Sequence, residues 1–121
     1  MAILIDSSVW IDHFRSPIDA IAGQILAGDV RMHRFVIGEL ALGSLPDRAR
    51  FLRFLHALPS IPPSDHEALL AFIGEAALDN KGVGFVDAHL LKACADHGLM
   101  LWTHDRRLAE QAERLGLLHT A

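Results

Sequence analysis

An α/β fold with a parallel sheet covered on both faces is what the sequence predicts, and three features predict it. Short aliphatic and β-branched runs alternate along the chain with longer segments of helical periodicity, the pattern of parallel strands joined by crossover helices. The N-terminal run Ala2-Ile3-Leu4-Ile5 shows no polar alternation, as a strand buried on both faces requires. Asp6 closes that run and so stands at the carboxyl end of the strand, where open α/β sheets place their ligands.

The elements follow in order. A first strand is predicted from Ile3 to Asp6, with Ser7 or Ser8 capping a short helix through Val9-Trp10-Ile11. A second helix opens at Ser16, with Pro17 at its first position and Asp19 completing a capping-box-like turn. Its apolar stripe is Ile18, Ile21, Ala22, Ile25 and Leu26, and Gly28 ends it. Val30 to His33 forms a short strand feeding a helix that carries Glu39 and stops near Gly43 and Pro46. Asp47 to Leu58 is helical, with Arg48, Arg50 and Arg53 interleaved among Phe51, Leu52, Phe54 and Leu55. Ser64-Asp65-His66-Glu67 is a capping box opening a helix to about Leu78. Gly82 and Gly84 break the chain before a helix from Val86 to His97 that Gly98 terminates. Leu99 to Trp102 is a strand, Asp105 to Leu115 a helix, and Leu117 to His119 a last short strand.

The 121 residues suffice for a single domain, and the 51% hydrophobic fraction provides for a core. Repeats, low-complexity tracts and linkers are missing. No apolar run approaches the ~20 residues that span a bilayer. No basic region precedes Ile3, so a signal peptide is not expected. The single cysteine, Cys94, fits a reducing cytoplasm and reads as a small core residue. A net charge of −4 argues against a general nucleic-acid coat. It leaves a nuclease open, because a metal cluster neutralises its own acids and the basic residues need line only one face.

Four acids stand at the margins of apolar segments: Asp6, Glu39 within Phe35-Val36-Ile37-Gly38-Glu39-Leu40, Asp87 in Gly84-Phe85-Val86-Asp87-Ala88, and Asp105 just after Leu99-Met100-Leu101-Trp102. Taken singly, Asp6 and Asp105 read as helix caps, Asp87 as a complement to a helix N-terminus and Glu39 as a solvated residue. Taken together they suggest a site for divalent cations. Mg2+ prefers oxygen ligands and takes only a few protein carboxylates. One such ion activates an attacking water while a second steadies the leaving oxygen of a phosphodiester.

The order and surroundings of these acids carry a family resemblance. Ile3-Leu4-Ile5-Asp6-Ser7-Ser8-Val9-Trp10-Ile11-Asp12 closely resembles the opening of PIN-domain ribonucleases, especially the VapC toxins of toxin–antitoxin pairs. Ile37-Gly38-Glu39-Leu40 with Gly43 is similar to that family's glutamate helix. Val86-Asp87-Ala88-His89-Leu90-Leu91 is similar to its third acidic motif, and Leu101-Trp102-Thr103-His104-Asp105 to its fourth. The likeness runs from Ile3 to Leu118.

It implies a single PIN-like domain over 1–121, three-layered α/β/α, with strand order 3-2-1-4-5. It also implies Mg2+, with Mn2+ able to substitute, held by Asp6, Glu39, Asp87 and Asp105, which are thereby the catalytic residues. Ser7 and Thr103 match the family's small hydroxyl positions, beside the ligands. Where many relatives carry a further acid and an aromatic after the fourth motif, this chain has Arg107 and Leu108, and Arg107 becomes a candidate for RNA phosphate. Arg48 is a second such candidate, with a solvated face as the alternative. His104 adjoins Asp105, but Mg2+ prefers oxygen, and the histidine spacings do not suit zinc.

A metal-dependent endoribonuclease acting as a type II toxin is the expected function, with RNA as substrate and an antitoxin protein as partner. Trp10, Phe14, Phe51 and Phe54 offer more large apolar surface than the sheet's helices need, and the resemblance implies a homodimer. Two other readings compete. A phosphatase of the haloacid-dehalogenase type wants a second Asp at position 8, which is Ser, and a receiver wants paired acids by the first strand. A non-catalytic interaction module has no reason to keep four clustered repulsive charges.

Overall fold

A computed structural model describes residues 1–120. Its elements are β1 (Ile3–Ile5), α1 (Ser7–Arg15), α2 (Asp19–Leu26), β2 (Val30–His33), α3 (Arg34–Ala41), α4 (Arg48–Ala57), β3 (Ser60–Ile61), α5 (His66–Glu75), α6 (Phe85–His97), β4 (Met100–Trp102) and α7 (Arg106–Arg114). The strands form one parallel sheet in the order β3-β2-β1-β4. Ile3 and Leu4 of β1 pair with Val30 and Arg31 of β2, and Ile3, Leu4 and Ile5 pair with Met100, Leu101 and Trp102 of β4.

All three residues of β1 are buried, so helices cover both faces of the sheet and the layering is α/β/α. Leu4, Ile5, Trp10, Met32, Leu40, Leu90 and Leu101 lie in one continuous core. Cys94 is buried in it, and burial pushes its thiol up to about 12, which leaves it inert. Among the described residues no helix is long and apolar enough to cross a membrane.

The fold class stands, with one difference in strand count. The predicted last strand reduces to a single parallel bridge, Leu101 to Leu118, bounded by Leu101 N–H to Leu117 O at 2.6 Å and His119 N–H to Leu101 O at 2.8 Å. It occupies the fifth place of the order 3-2-1-4-5 without extending into a strand.

Three helix starts also differ. Asp6, not Ser7 or Ser8, caps α1. The predicted start at Ser16 and Pro17 fails because Ser16 is extended and ends α1 instead, its N–H donating to Asp12 O at 2.9 Å, so α2 begins at Asp19. Asp65 rather than Ser64 caps α5, its carboxylate accepting from Ala68 N–H at 3.1 Å.

Gly98 ends α6 with φ 65° and ψ 38°, and a Cβ there would meet no atom within 4 Å. The cost of substitution is therefore purely conformational. Gly98→Ala is expected to lower stability by about 1 kcal/mol, the penalty for an L-residue in the left-handed region, read from urea unfolding.

Candidate metal centre

Parallel strands bring their carboxyl ends to one edge, and Ile5 and Trp102 are register partners there. The residues leaving β1 and β4 therefore emerge side by side. Asp6 is the first residue past β1, and its backbone N–H still reaches Trp102 O at 2.9 Å. Thr103, His104 and Asp105 leave β4 next to it.

Asp6 is 4% exposed and fully engaged. Its Oδ1 accepts from Ser7 N–H at 2.8 Å. Its Oδ2 accepts from the Ser8 hydroxyl at 2.7 Å and the Thr103 hydroxyl at 2.8 Å. Each hydroxyl has one hydrogen, spent on Asp6, and so must act as acceptor to other groups. Ser8 Oγ accepts from His104 N–H at 3.0 Å, and Thr103 Oγ1 accepts from Asp105 N–H at 3.0 Å. The two hydroxyls thus tie the loop after β4 to the Asp6 carboxylate and set where Asp105 starts. Asp105 then caps α7, its Oδ1 accepting from Leu108 N–H at 3.0 Å.

Glu39, on the second turn of α3, enters through the Ser7 hydroxyl, which donates to its Oε1 at 3.1 Å. Asp87, in the first turn of α6, is braced by Gly84 N–H donating to its Oδ2 at 3.0 Å. Burial raises both carboxyls above their ordinary range. For Glu39 the charges of Asp6 and Asp87 add to this while the Ser7 hydroxyl opposes it. For Asp87 the charges of Asp6 and Asp105 add while the Gly84 N–H opposes. Glu39 thus lies within electrostatic reach of Asp6 and Asp87, and Asp87 within reach of Asp6 and Asp105.

In the unfolded chain these two acids hold their protons less well. Their contribution to the metal-free fold is therefore fully present below the ordinary carboxylate range and is lost as pH rises through the raised folded values. Cation binding requires the deprotonated forms. Mn2+ affinity, followed by titration calorimetry, should accordingly begin to fall on acidification while the pH is still above the ordinary carboxylate range, and less steeply in Glu39→Gln.

The donor set suits a hard divalent cation, since every candidate ligand is a carboxylate oxygen. Asp6 has both oxygens committed. Glu39 Oε2, Asp87 Oδ1 and Asp105 Oδ2 accept no hydrogen bond among the described residues. Among those residues, too, no three acid, histidine or cysteine groups already stand close enough to chelate one ion. Each of the four carboxylates is instead braced by its own local donor.

The remaining candidates separate. Ser7 hydrogen-bonds to Asp6 and Glu39, and Thr103 to Asp6. Arg107 is exposed and shares an open concavity with Asp105, Arg106 and Glu110. Its side chain lies against Gly82, where a Cβ would come 2.6 Å from Arg107 Cδ. Arg48 begins α4, exposed, and no hydrogen bond, ion pair or shared cavity joins it to the carboxylates. Two features escaped the sequence reading: the bridging role of Ser8, and a hydrogen bond between His104 Nδ1 and Asp12 Oδ2 at 2.5 Å. Asp12 lies six positions along the same opening motif, yet nothing local shows that it faces His104.

Comparison with known proteins decides the family. The PIN domain family profile matches residues 3–114. The chain belongs to the PIN-domain family. It is also 40% identical over 117 residues, 95% of this chain and 94% of the relative, to a protein called Ribonuclease VapC32 from Mycobacterium tuberculosis strain CDC 1551 / Oshkosh. The strain H37Rv protein of the same name matches equally, and this PIN domain is of the VapC type. Two solved structures share its fold at 19% identity. VapBC bound to DNA, from Salmonella typhimurium, superposes with a TM-score of 0.72 over 98% of this chain and 96% of that one. PAE2754 from Pyrobaculum aerophilum superposes with a TM-score of 0.62 over 95% and 86%.

Proposed function

We propose that this PIN domain, a single unit over 1–121, is a metal-dependent endoribonuclease and the toxin of a type II toxin–antitoxin pair, acting in the cytoplasm. The convergence of Asp6, Glu39, Asp87 and Asp105 at the carboxyl edge of the sheet carries this reading, and the 40% identity to Ribonuclease VapC32 supports it. Bound Mg2+ or Mn2+ would supply a lowered pKa for water and charge stabilisation on the phosphoryl oxygens.

The chain's own residues do the rest. The free oxygens of Glu39, Asp87 and Asp105 are able to turn toward a cation, and Asp6 would join them through the lone pair its hydrogen bonds leave, while Ser8 and Thr103 position the Asp105 loop against it. Arg107 lies beside Asp105, suited to RNA phosphate, and Arg48 stands exposed at the start of α4. An aspartyl-phosphate mechanism has no support from the surroundings of Asp6, whose oxygens are both tied to local donors.

Incubating the purified chain with cellular RNA, with Mg2+ or with EDTA, and sequencing the new ends tests the proposal. Discrete cleavage sites that appear only with the metal, and not in Glu39→Gln, are expected. Identical end profiles in all samples would remove the nuclease reading.

The antitoxin has an apolar groove available. Ile11, Phe14, Leu40 and Leu45 line a cavity of about 450 Å³ between α1 and the end of α3, next to Glu39 in sequence. A homodimer belongs to the same proposal, on narrower ground than the sequence offered. Trp10 is buried, and Phe14 and Phe51 pack edge to face at 4.8 Å within the protein, which leaves Phe54, at 38% exposure, as the open member of the four.

A further inference from the structure

Phe85, the first residue of α6, is 52% exposed, the most open of the chain's Phe and Trp side chains. Its ring is held from behind. It stands edge to face with His89 at 5.0 Å, and His89 in turn stands edge to face with Phe35 at 4.7 Å. Phe85 also lines a concavity of about 250 Å³, together with Ile73, Leu78, Val83, Asp79 and Asn80 among others.

Gly84 joins this concavity to the carboxylate cluster. It lines the hollow, and its N–H donates to Asp87 Oδ2 at 3.0 Å. A single residue's backbone therefore separates the two.

Size, charge and chemistry define the occupant. The volume lies below that of ordinary ligand clefts, so it admits one planar ring and not a helix or a strand. The negative Asp79 repels a phosphate. A carboxylate accepts from exocyclic amino groups, and a side-chain amide both donates and accepts, the combination that reads a base edge. An aromatic wall supplies the stacking face on which unpaired bases rest.

We propose that this concavity seats one unpaired nucleobase of the RNA next to the scissile phosphate, stacked on Phe85 with its exocyclic amino group toward Asp79 and Asn80. The proposal rests on the ribonuclease reading and adds base selection to it: adenine, cytosine or guanine is favoured over uracil at one position flanking the cut.

The test is cleavage of a randomised single-stranded RNA pool with Mg2+, followed by sequencing of the ends. Wild type should show depletion of uracil at one flanking position, and Asp79→Ala should flatten that preference without altering the others. Phe85→Ala should raise KM about tenfold, in keeping with the loss of one base–aromatic stack, with kcat little changed, and Phe85→Trp should restore KM. In EDTA, 2-aminopurine placed at that position of a cleaved sequence should be quenched on binding wild type and not on binding Phe85→Ala. Active variants with the wild-type base profile and KM would overturn the concavity alone, as would failure of Phe85→Trp to restore what Phe85→Ala loses. A wild type that cuts no RNA would overturn the nuclease reading and this one with it.

Discussion

Asp6→Asn is expected to reduce RNA hydrolysis by about 100- to 1000-fold, equivalent to some 3–4 kcal/mol of lost transition-state stabilisation. The loss has two sources. One negative charge disappears from the cation's surroundings, and the hydroxyl relay reverses. With an amide nitrogen in place of Oδ2, Ser8 and Thr103 no longer find an acceptor and must turn their hydrogens away from position 6. Thr103 Oγ1 can still accept from Asp105 N–H, but its hydroxyl is no longer fixed by donating to position 6, so the Asp105 loop is held less firmly.

Stability in EDTA should then separate the acids by sign. Asp6 is buried among donors, and losing hydrogen bonds to a charged group costs about 1.5–3 kcal/mol each, so the melting temperature of Asp6→Asn should fall. Glu39→Gln and Asp87→Asn should hold or gain, because burial and neighbouring acids already favour the neutral form at both positions. Asp6→Asn cleaving at the wild-type rate would remove Asp6 from the reaction, and a common direction of melting shift for all three would contradict the division of roles.

What could be read in advance depended on how local the signal was. β1 and Asp6 were legible because an uninterrupted aliphatic run ending in an acid needs no partner to be interpreted. β3 was not. Ser60 and Ile61 lie between Pro59 and Pro62, and proline clusters signal loop. The strand exists because Met32 and His33 of β2 pair with Ser60 and Ile61, supported by Met32 N–H donating to Pro59 O at 2.8 Å.

Leu117 to His119 failed in the opposite direction, with strand-like residues finding pairing only at Leu118. The mutual packing of Trp10, Phe14, Phe51 and Phe54 was illegible for a related cause. Composition counts large side chains but does not show that α1 and α4 pack these against one another, with rings 6.1 Å apart for Trp10 and Phe14, 4.8 Å for Phe14 and Phe51, and 6.3 Å for Trp10 and Phe54.

The site shows the same limit. Each acid was visible at the margin of its segment, and Asp6 and Asp105 do cap helices α1 and α7. Their convergence depends on contacts such as Thr103 to Asp6 and Ser7 to Glu39, which join residues 97 and 32 positions apart. Only the family resemblance bridged those distances before the fold did.

Inhibition by the antitoxin should run through the same electrostatics, and substituting Asp87 by Asn is expected to weaken the toxin–antitoxin complex by about 2 kcal/mol or more. Glu39 Oε2, Asp87 Oδ1 and Asp105 Oδ2 are acceptors without partners among the described residues, and at Glu39 and Asp87 burial and neighbouring acids make the charged form costly. A guanidinium answers this directly. It is always charged, presents five donors in a rigid fork, and can bond two carboxylates at once in place of a cation. We propose that the antitoxin delivers an Arg among Asp6, Glu39, Asp87 and Asp105, anchored by an apolar helix in the groove lined by Ile11, Phe14, Leu40 and Leu45. Because Arg and Mn2+ would then compete for the same oxygens, excess Mn2+ should lower the antitoxin's affinity in wild type and do so less in Asp87→Asn. Ile11→Glu, which places a charge in the groove but leaves the carboxylates alone, should weaken the complex while preserving its sensitivity to Mn2+. Calorimetric titrations of the antitoxin into the three proteins, with and without Mn2+, measure each effect. An affinity that responds to Ile11→Glu but to neither Mn2+ nor Asp87→Asn would mean that the antitoxin blocks access to RNA without ever entering the carboxylate cluster.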